Sequence, residues 1–345
     1  MNAQEAIQSI RTKKLENIYL VIGTENFLRE QVRQAFFERL MLTETDLNFQ
    51  QFDLVENSLN DVLLEVESSP FFGDYRLVFL ENPLFLSSEK IKSEQEDVLD
   101  KFIEYIEQPL ETTILVIWFN QEKMDERKKI TKRLKKAATR IDVEPMKEAE
   151  VRRYLQQTFN NEGLEFSRDA FEQFLFLTDA SLSKAMREFE KIRLFAAEEK
   201  KINITIIDSL VPKSLEQNVF DLTESILAGK VEAALRLYEE LRVQGEETIK
   251  INAILISQIR LLLQVRLLEN IGYQQGSIAE TLKVHPYRIK LAMQQARKFK
   301  VPQLVKLLDE LIENDYATKT GKVEKEFAFQ LLILKMGEIK KNQRS

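Results

Sequence analysis

The sequence predicts an α/β segment followed by an all-helical one. Two patterns carry this reading. Up to about residue 143, short apolar runs rich in β-formers alternate with helical periodicity. Beyond about residue 145 the strand signals largely stop and helical periodicity takes over. Glycine use agrees with both. Nine glycines in 345 residues is about 2.6%, against roughly 7% in average proteins. That argues against glycine-rich phosphate loops and glycine-dense β architectures.

The first segment reads in order as follows. Residues 2–14 form a short amphipathic helix. Ile18-Tyr19-Leu20-Val21-Ile22 is a buried strand ended by Gly23. A helix follows from Asn26 to Met41, with Leu28, Val32, Phe36 and Leu40 at helical spacing. Phe49 to Leu54 is a second strand. Leu59 to Glu67 is helical, with Ser58 as its N-cap. Arg76-Leu77-Val78-Phe79-Leu80 is a third strand. A charged helix over 91–107 and a strand over Thr113–Phe119 come next. Arg127 to Ala138 is a helix and Arg140 to Val143 a strand. Strands separated by helices imply a parallel sheet covered by those helices.

Helices are then expected at 147–160, 167–177 and 181–197, with an extended piece at Ile202–Ile204 and a helix at 205–210. Val211-Pro212-Lys213-Ser214 marks a second boundary. About seven helical segments follow, broken at Gly229 and Gly245, with Pro286 and Pro302 at helix starts, where a missing N–H costs little. The segment 247–271 is unusually long. Between Ile251 and Leu268 it is apolar around most of its circumference, which implies burial on several sides. A helix central to its own domain explains this, and a partner surface is the alternative.

Composition removes several function classes. At about 150 residues per domain, the length corresponds to two or three domains. There is no cysteine, which excludes disulfides, thiol catalysis and Cys-ligated zinc or iron–sulfur clusters. The single histidine, His285, precludes a two-His metal site within one chain, so no metal centre and no cofactor are expected. It precedes a proline at a helix start, where capping or packing is its expected role. Lys+Arg number 50 against 56 Asp+Glu, a formal net charge of -6, which argues against a basic chromatin-like protein but not against a local positive patch. The longest uninterrupted apolar run found, Ile114 to Phe119, is far too short to span a membrane. The first residues carry no apolar signal core. The expectation is a soluble cytoplasmic protein without membrane contact.

Three motifs bear on function. A strand ending at Gly23 before a helix is where a G-x-x-x-x-G-K-[ST] phosphate loop would lie. Counting from Gly23, the loop requires glycine, lysine and serine or threonine where the chain has Leu28, Arg29 and Glu30. Leu28 adds a side chain where backbone must approach phosphate. Glu30 puts a carboxylate in place of the Mg²⁺-binding hydroxyl. The strand ending Val78-Phe79-Leu80-Glu81 has Leu80 where a Mg²⁺-binding aspartate is expected. The nucleotide site reads as degenerate and no catalytic residue is assigned. Paired acids such as Glu239–Glu240 read as solvated surface.

The second motif is Ser69-Pro70-Phe71-Phe72-Gly73. A helix ends before Pro70, because the residue preceding proline is pushed out of the α region. Two large aromatics then share a short turn, and two consecutive side chains on a turn rarely both face inward. Either one packs under the sheet and the other is incidental, or the pair forms an exposed wedge for a pocket on a partner. The third motif is Glu122 to Arg140, with nine basic residues against three acidic ones. It reads either as a solvated face or as a surface for DNA phosphates, with Lys128, Lys129, Lys132, Arg133 and Lys136 as the contact candidates.

The order of these blocks and several local motifs resemble the delta subunit of the bacterial DNA polymerase III clamp loader. The resemblance rests on Ile18-Tyr19-Leu20-Val21-Ile22-Gly23-Thr24-Glu25-Asn26-Phe27-Leu28, Pro70-Phe71-Phe72-Gly73-Asp74-Tyr75-Arg76-Leu77-Val78, Asn218-Val219-Phe220-Asp221-Leu222, His285-Pro286-Tyr287, and Asp315-Tyr316-Ala317-Thr318-Lys319-Thr320-Gly321. It implies three domains. These are an AAA+-like α/β domain over 1–144 with a lost nucleotide site, a small helical lid over 145–211 and a helical collar over 212–345. It also implies that Phe71 and Phe72, flanked by Pro70 and Gly73, enter a hydrophobic pocket of the sliding clamp (the beta subunit). The expected function is to bind and open the clamp for loading onto primed DNA in replication, without ATP hydrolysis by this chain, as part of the DNA polymerase III holoenzyme at the nucleoid. The expected partners are the clamp, the gamma/tau ATPase subunits, delta-prime and primer–template DNA. An AAA+-related nucleic-acid-binding adaptor and an atypical NTPase are the alternatives.

Overall fold

The structure is a computed structural model that describes residues 1–88, 96–121, 124–196 and 200–342. Its contacts divide the chain into two compact units, Met1–Met146 and Lys147–Ser345. The division falls two residues beyond the expected 144/145 boundary. All of the expected collar and residues 147–211 of the expected lid lie inside the second unit.

The first unit is built on five strands: β1 (Ile18–Ile22), β2 (Phe49–Asp53), β3 (Arg76–Glu81), β4 (Thr113–Phe119) and β5 (Thr139–Asp142). They lie in the order β2-β3-β4-β1-β5 and every pairing is parallel. This is the expected parallel sheet covered by helices. β1 and β4 are buried at every position, as strands covered on both faces must be. Helices α1 (Ala3–Thr12), α2 (Asn26–Leu40), α3 (Leu59–Val66), α4 (Glu96–Glu107) and α5 (Lys129–Ala137) supply the cover.

Side-chain alternation along the strands builds two different layers. Ile18, Leu20, Ile22, Val78, Leu80, Leu115 and Ile117 join an aliphatic core with Val62, Val66, Phe102, Ile106, Ile130 and Leu134 of α3, α4 and α5. Tyr19, Phe79 and Trp118 point the other way and meet Phe36, Phe37 and Phe49 in a chain of edge-on rings. Edge-on contacts place positive ring edges on negative faces and favour one arrangement of this layer. Ser58 caps α3 as expected, in a reciprocal capping box with Asp61.

Two details differ from the sequence reading. The helix expected from Arg127 begins at Lys129, because the Asp125 carboxylate takes the backbone N–H and guanidinium of Arg127 and holds that segment as a turn. The second unit also contains a strand pair that periodicity did not mark, β6 (Glu165–Phe166) beside β7 (Lys201–Ile202). The expected helical residues 91–95 and 197, and Glu122 and Lys123 of the basic run, lie outside the described residues.

The second unit starts with α6 (Glu148–Asn161), α7 (Arg168–Leu177), α8 (Leu182–Phe195) and α9 (Ile204–Leu210). It continues with α10 (Leu215–Ala228), α11 (Val231–Val243), α12 (Thr248–Asn270), α13 (Gln275–Leu282), α14 (Pro286–Ala296), α15 (Val301–Lys319) and α16 (Lys325–Asn342). Gln217 on α10 donates to the carbonyls of Phe176 and Leu177 in the last turn of α7, both at 2.9 Å. α12 is long and apolar enough to cross a membrane, which the run-length criterion missed because polar residues interrupt it. It lies instead at the centre of the helical core. Ile251, Leu255, Ile259, Leu262 and Val265 are buried along it, against α10, α14, α15 and α16. This buried face serves its own unit, while Ile249 and Leu267 on the same helix are exposed. His285 caps α14, its Nδ1 accepting from the Tyr287 N–H at 3.3 Å, and burial pushes its pKa down.

Candidate functional site

The residues singled out in the first unit lie at opposite ends of the sheet. The segment Gly23 to Glu30, expected to be a degenerate phosphate loop, sits at the C-terminal ends of the parallel strands, where open α/β sheets receive ligands. The Phe71–Phe72 turn leads into the N-terminal end of β3.

At the C-terminal ends, the β1–α2 connection is only three residues long, Gly23 to Glu25. The Gly23 N–H donates to the Phe119 carbonyl at 3.2 Å, and the Glu25 N–H donates to Val143 at 3.0 Å. Gly23 has φ +132°, and a Cβ there would lie 2.3 Å from the Val143 backbone. This glycine therefore serves backbone approach to the end of β5 rather than a phosphate. Because α2 begins at Asn26, residues that a phosphate loop keeps as open backbone are already helical. Leu28 is buried in the core and Glu30 is exposed. Arg29 crosses to Glu81 at the end of β3, Nη2 to Oε2 2.8 Å, with side chains 18% and 17% exposed. Its guanidinium lies 5.5 Å from the centroid of the Trp118 ring. Burial raises the Glu81 pKa, and this outweighs the downward pull of Arg29 and Arg33. An internal ion pair thus lies at the C-terminal ends of the strands.

At the other end, the turn after α3 presents both rings to solvent. Phe71 is 61% exposed and Phe72 is 76% exposed. The reading in which one ring packs under the sheet does not hold. The backbone beneath them is fixed from two sides. The buried Asn48 amide accepts from the Phe71 N–H at 2.7 Å and donates to the Phe72 carbonyl. The buried Arg76 guanidinium donates to the Ser69 carbonyl at 3.1 Å and is itself held by the Glu65 carboxylate. It also lies 5.2 Å from the Phe71 ring centroid, so one face of that ring rests on a cation. Among the described residues, no ring or cation contact involves Phe72. Gly73 adopts φ +73° and closes the turn, while Pro70 is half-buried. Asn48, Glu65 and Arg76 were not foreseen. Asn48 lies 23 residues before Phe71 in sequence, and no local pattern reports such a bond.

The basic helix α5 is partly neutralised. Lys129 pairs with Asp100 at 2.7 Å and Arg133 with Glu107 at 3.0 Å, both on α4. Lys135 pairs with Glu126. Arg127 holds the Asp125 carboxyl down at about 2. Of the five DNA-contact candidates, Lys132 and Lys136 are exposed and in no ion pair among the described residues, and Lys128 is half-buried.

Comparison with known proteins decides the family. The family described as "DNA polymerase III, delta subunit" matches residues 19–144, and "DNA polymerase III delta subunit, C-terminal domain" matches residues 216–336. The chain belongs to the DNA polymerase III delta subunit family. It is 34% identical over 339 residues to DNA polymerase III subunit delta of Bacillus subtilis, covering 98% of this chain and 97% of that protein. Among solved structures, the Bacillus subtilis DNA clamp loader delta protein aligns at TM-score 0.73 and 34% identity, over 97% of this chain and 99% of that one. The Holliday junction branch migration motor RuvB of Thermotoga maritima aligns at TM-score 0.39 and 12% identity, over 84% of this chain and 85% of that one.

Proposed function

We propose that this protein acts as a clamp-loader delta subunit in DNA replication, binding the sliding clamp through Phe71 and Phe72 and favouring its open form. The observation that carries the reading is the pair of exposed rings on a turn whose backbone Asn48 and Arg76 hold in place. Fixing the turn before binding reduces the ordering cost at the interface. Apolar anchors that enter a pocket contribute about 2 kcal/mol or more each. Phe72 is the principal anchor, since Phe71 already rests on Arg76.

Opening follows from differential affinity: a protein that binds the open ring more tightly than the closed one shifts the clamp towards opening. ATP chemistry belongs to the gamma/tau partners and not to this chain. The Arg29–Glu81 pair and the short β1–α2 connection support that assignment. The helical residues 212–345 form the collar that meets the other loader subunits, delta-prime among them, and 145–211 form the lid. Lys132 and Lys136 are the residues best placed to meet primer–template DNA phosphates in the assembled loader. The setting is the cytoplasmic replisome.

The test is equilibrium binding to the sliding clamp of the same organism. Phe72→Ala is expected to weaken binding by roughly thirtyfold or more, with an unchanged circular-dichroism melting curve. Full affinity in the folded variant would sink the assignment. A parallel ATP titration of the isolated protein should show no saturable binding, and saturation would revive the NTPase reading.

A further inference from the structure

A groove of 890 Å³ runs between α3 and α4. Leu63, Leu64, Tyr105, Pro109 and Leu110 give it an apolar lining. Leu64 is 70% exposed, although it lies within α3 between the buried Leu63 and Val66. Three carboxylates, Glu67, Glu104 and Glu111, line the groove against one cation, Lys101.

The charges of α4 divide by side. Asp100 and Glu107 are neutralised by Lys129 and Arg133 of α5. Glu67, Glu104, Glu111 and Lys101 are in no ion pair among the described residues. The groove therefore carries an acidic excess over an apolar floor, on a surface whose other side is balanced. It is also close to the exposed rings. Glu67 is four residues before Phe71 in the chain, and at about 3.6 Å per residue the two cannot be more than roughly 15 Å apart.

We propose that this groove is a second docking site for the protein that receives Phe71 and Phe72, taking a segment in which lysine or arginine side chains flank one or two aliphatic ones. The proposal rests on the clamp-binding reading. The aliphatic side chains cover Leu63, Leu64 and Leu110, and the cations meet the three carboxylates. An acidic segment is rejected by like charge. A single wedge leaves its partner free to rotate about the anchor. A second contact within about 15 Å fixes that rotation, which an opener that holds the clamp in one geometry requires.

The experiment measures clamp binding across a range of salt concentrations for four proteins, each checked for folding by circular dichroism. These are the wild type, Phe71→Ala/Phe72→Ala, Glu67→Gln/Glu104→Gln/Glu111→Gln, and Leu64→Asp. The triple glutamine variant is expected to bind about tenfold more weakly at low salt and to converge on the wild type at high salt. Leu64→Asp is expected to lose about tenfold at every salt concentration, because it places a charge on the apolar floor. Wild-type affinity and salt dependence in both groove variants, with binding still abolished by the double aromatic substitution, overturns the groove and leaves the wedge standing. Absence of wild-type binding, or full binding by the double aromatic variant, overturns the clamp-binding reading and the groove with it.

Discussion

The two ends of the parallel sheet handle their functional residues in opposite ways. At the C-terminal ends, where the fold offers a ligand crevice, side chains turn inward. Arg29 meets Glu81 and Trp118, and the β1–α2 backbone presses on Val143. At the N-terminal end of β3, polar side chains satisfy the backbone of the turn and leave its rings outside. At one end an ion pair lies beside a connection closed by its own backbone hydrogen bonds, and at the other buried polar side chains hold the turn. What differs is which atoms the buried groups engage. Side-chain pairing uses up the side chains, whereas backbone pairing frees them for a partner.

The largest test of this contrast is Gly23→Ala. A methyl 2.3 Å from the Val143 backbone, at φ +132°, forces the connection away from β5. Chemical denaturation should show a loss of about 3 kcal/mol or more. A loss under about 1 kcal/mol would mean that the sealed end relaxes freely. Asn48→Ala should fall next. It orphans the Phe71 N–H and the Phe72 carbonyl, so about 1–3 kcal/mol of stability is expected to go. Clamp affinity should fall with it even though both rings remain. Unchanged affinity in titration calorimetry would show that fixing the turn does not contribute to binding.

Glu81→Gln is a smaller perturbation and carries a pH signature. The folded chain raises the Glu81 pKa above its ordinary 4.5 through burial, so it holds that proton more tightly than the unfolded chain does. This contribution to stability is fully present below the ordinary value and is lost as pH rises through the folded one. The glutamine variant lacks that decline. Its stability relative to wild type should therefore increase from about pH 4 towards neutrality. Urea titrations at several pH values read this directly, and a parallel pH dependence in the two proteins would contradict it. The smallest effect on stability is expected from Lys132→Ala/Lys136→Ala, which removes exposed charges that are in no ion pair among the described residues. The readout is DNA binding by the assembled loader. The logarithmic salt slope should drop by about 2, near 0.9 per lost phosphate contact. Lys129→Ala/Arg133→Ala should change it less, since α4 already neutralises those two residues.

Legibility in the sequence followed the range of the interaction. β1, β3 and β4 were readable because strands covered on both faces become unbroken apolar runs. The turn itself was readable because Pro70 and Gly73 bracket it, but the residues left open whether one ring packs inward, and only the resemblance favoured the exposed pair. β6 and β7 were not marked as a pair, since two residues each give no period to detect. The start of α5 was misplaced because the side chain of Asp125 competes with the helix for Arg127. Leu80, where an aspartate was expected, and Arg29 were each noted as departures from a nucleotide site. Their meeting through Glu81 depends on strand order, which places the ends of β1, β4 and β3 side by side. Asn48 gave no signal, because its bonds to the turn span 23 and 24 residues.

The most direct measurement is photocrosslinking from the tip of the turn. With Phe72 replaced by p-benzoylphenylalanine, irradiation of the protein mixed with the sliding clamp should yield one major adduct, mapping by mass spectrometry to an apolar pocket of the clamp. The same photoreactive group at Val55, an exposed position beyond the C-terminal end of β2, should give little adduct. Equal crosslinking from both positions, or none from position 72 under conditions where the two proteins bind, would contradict the account.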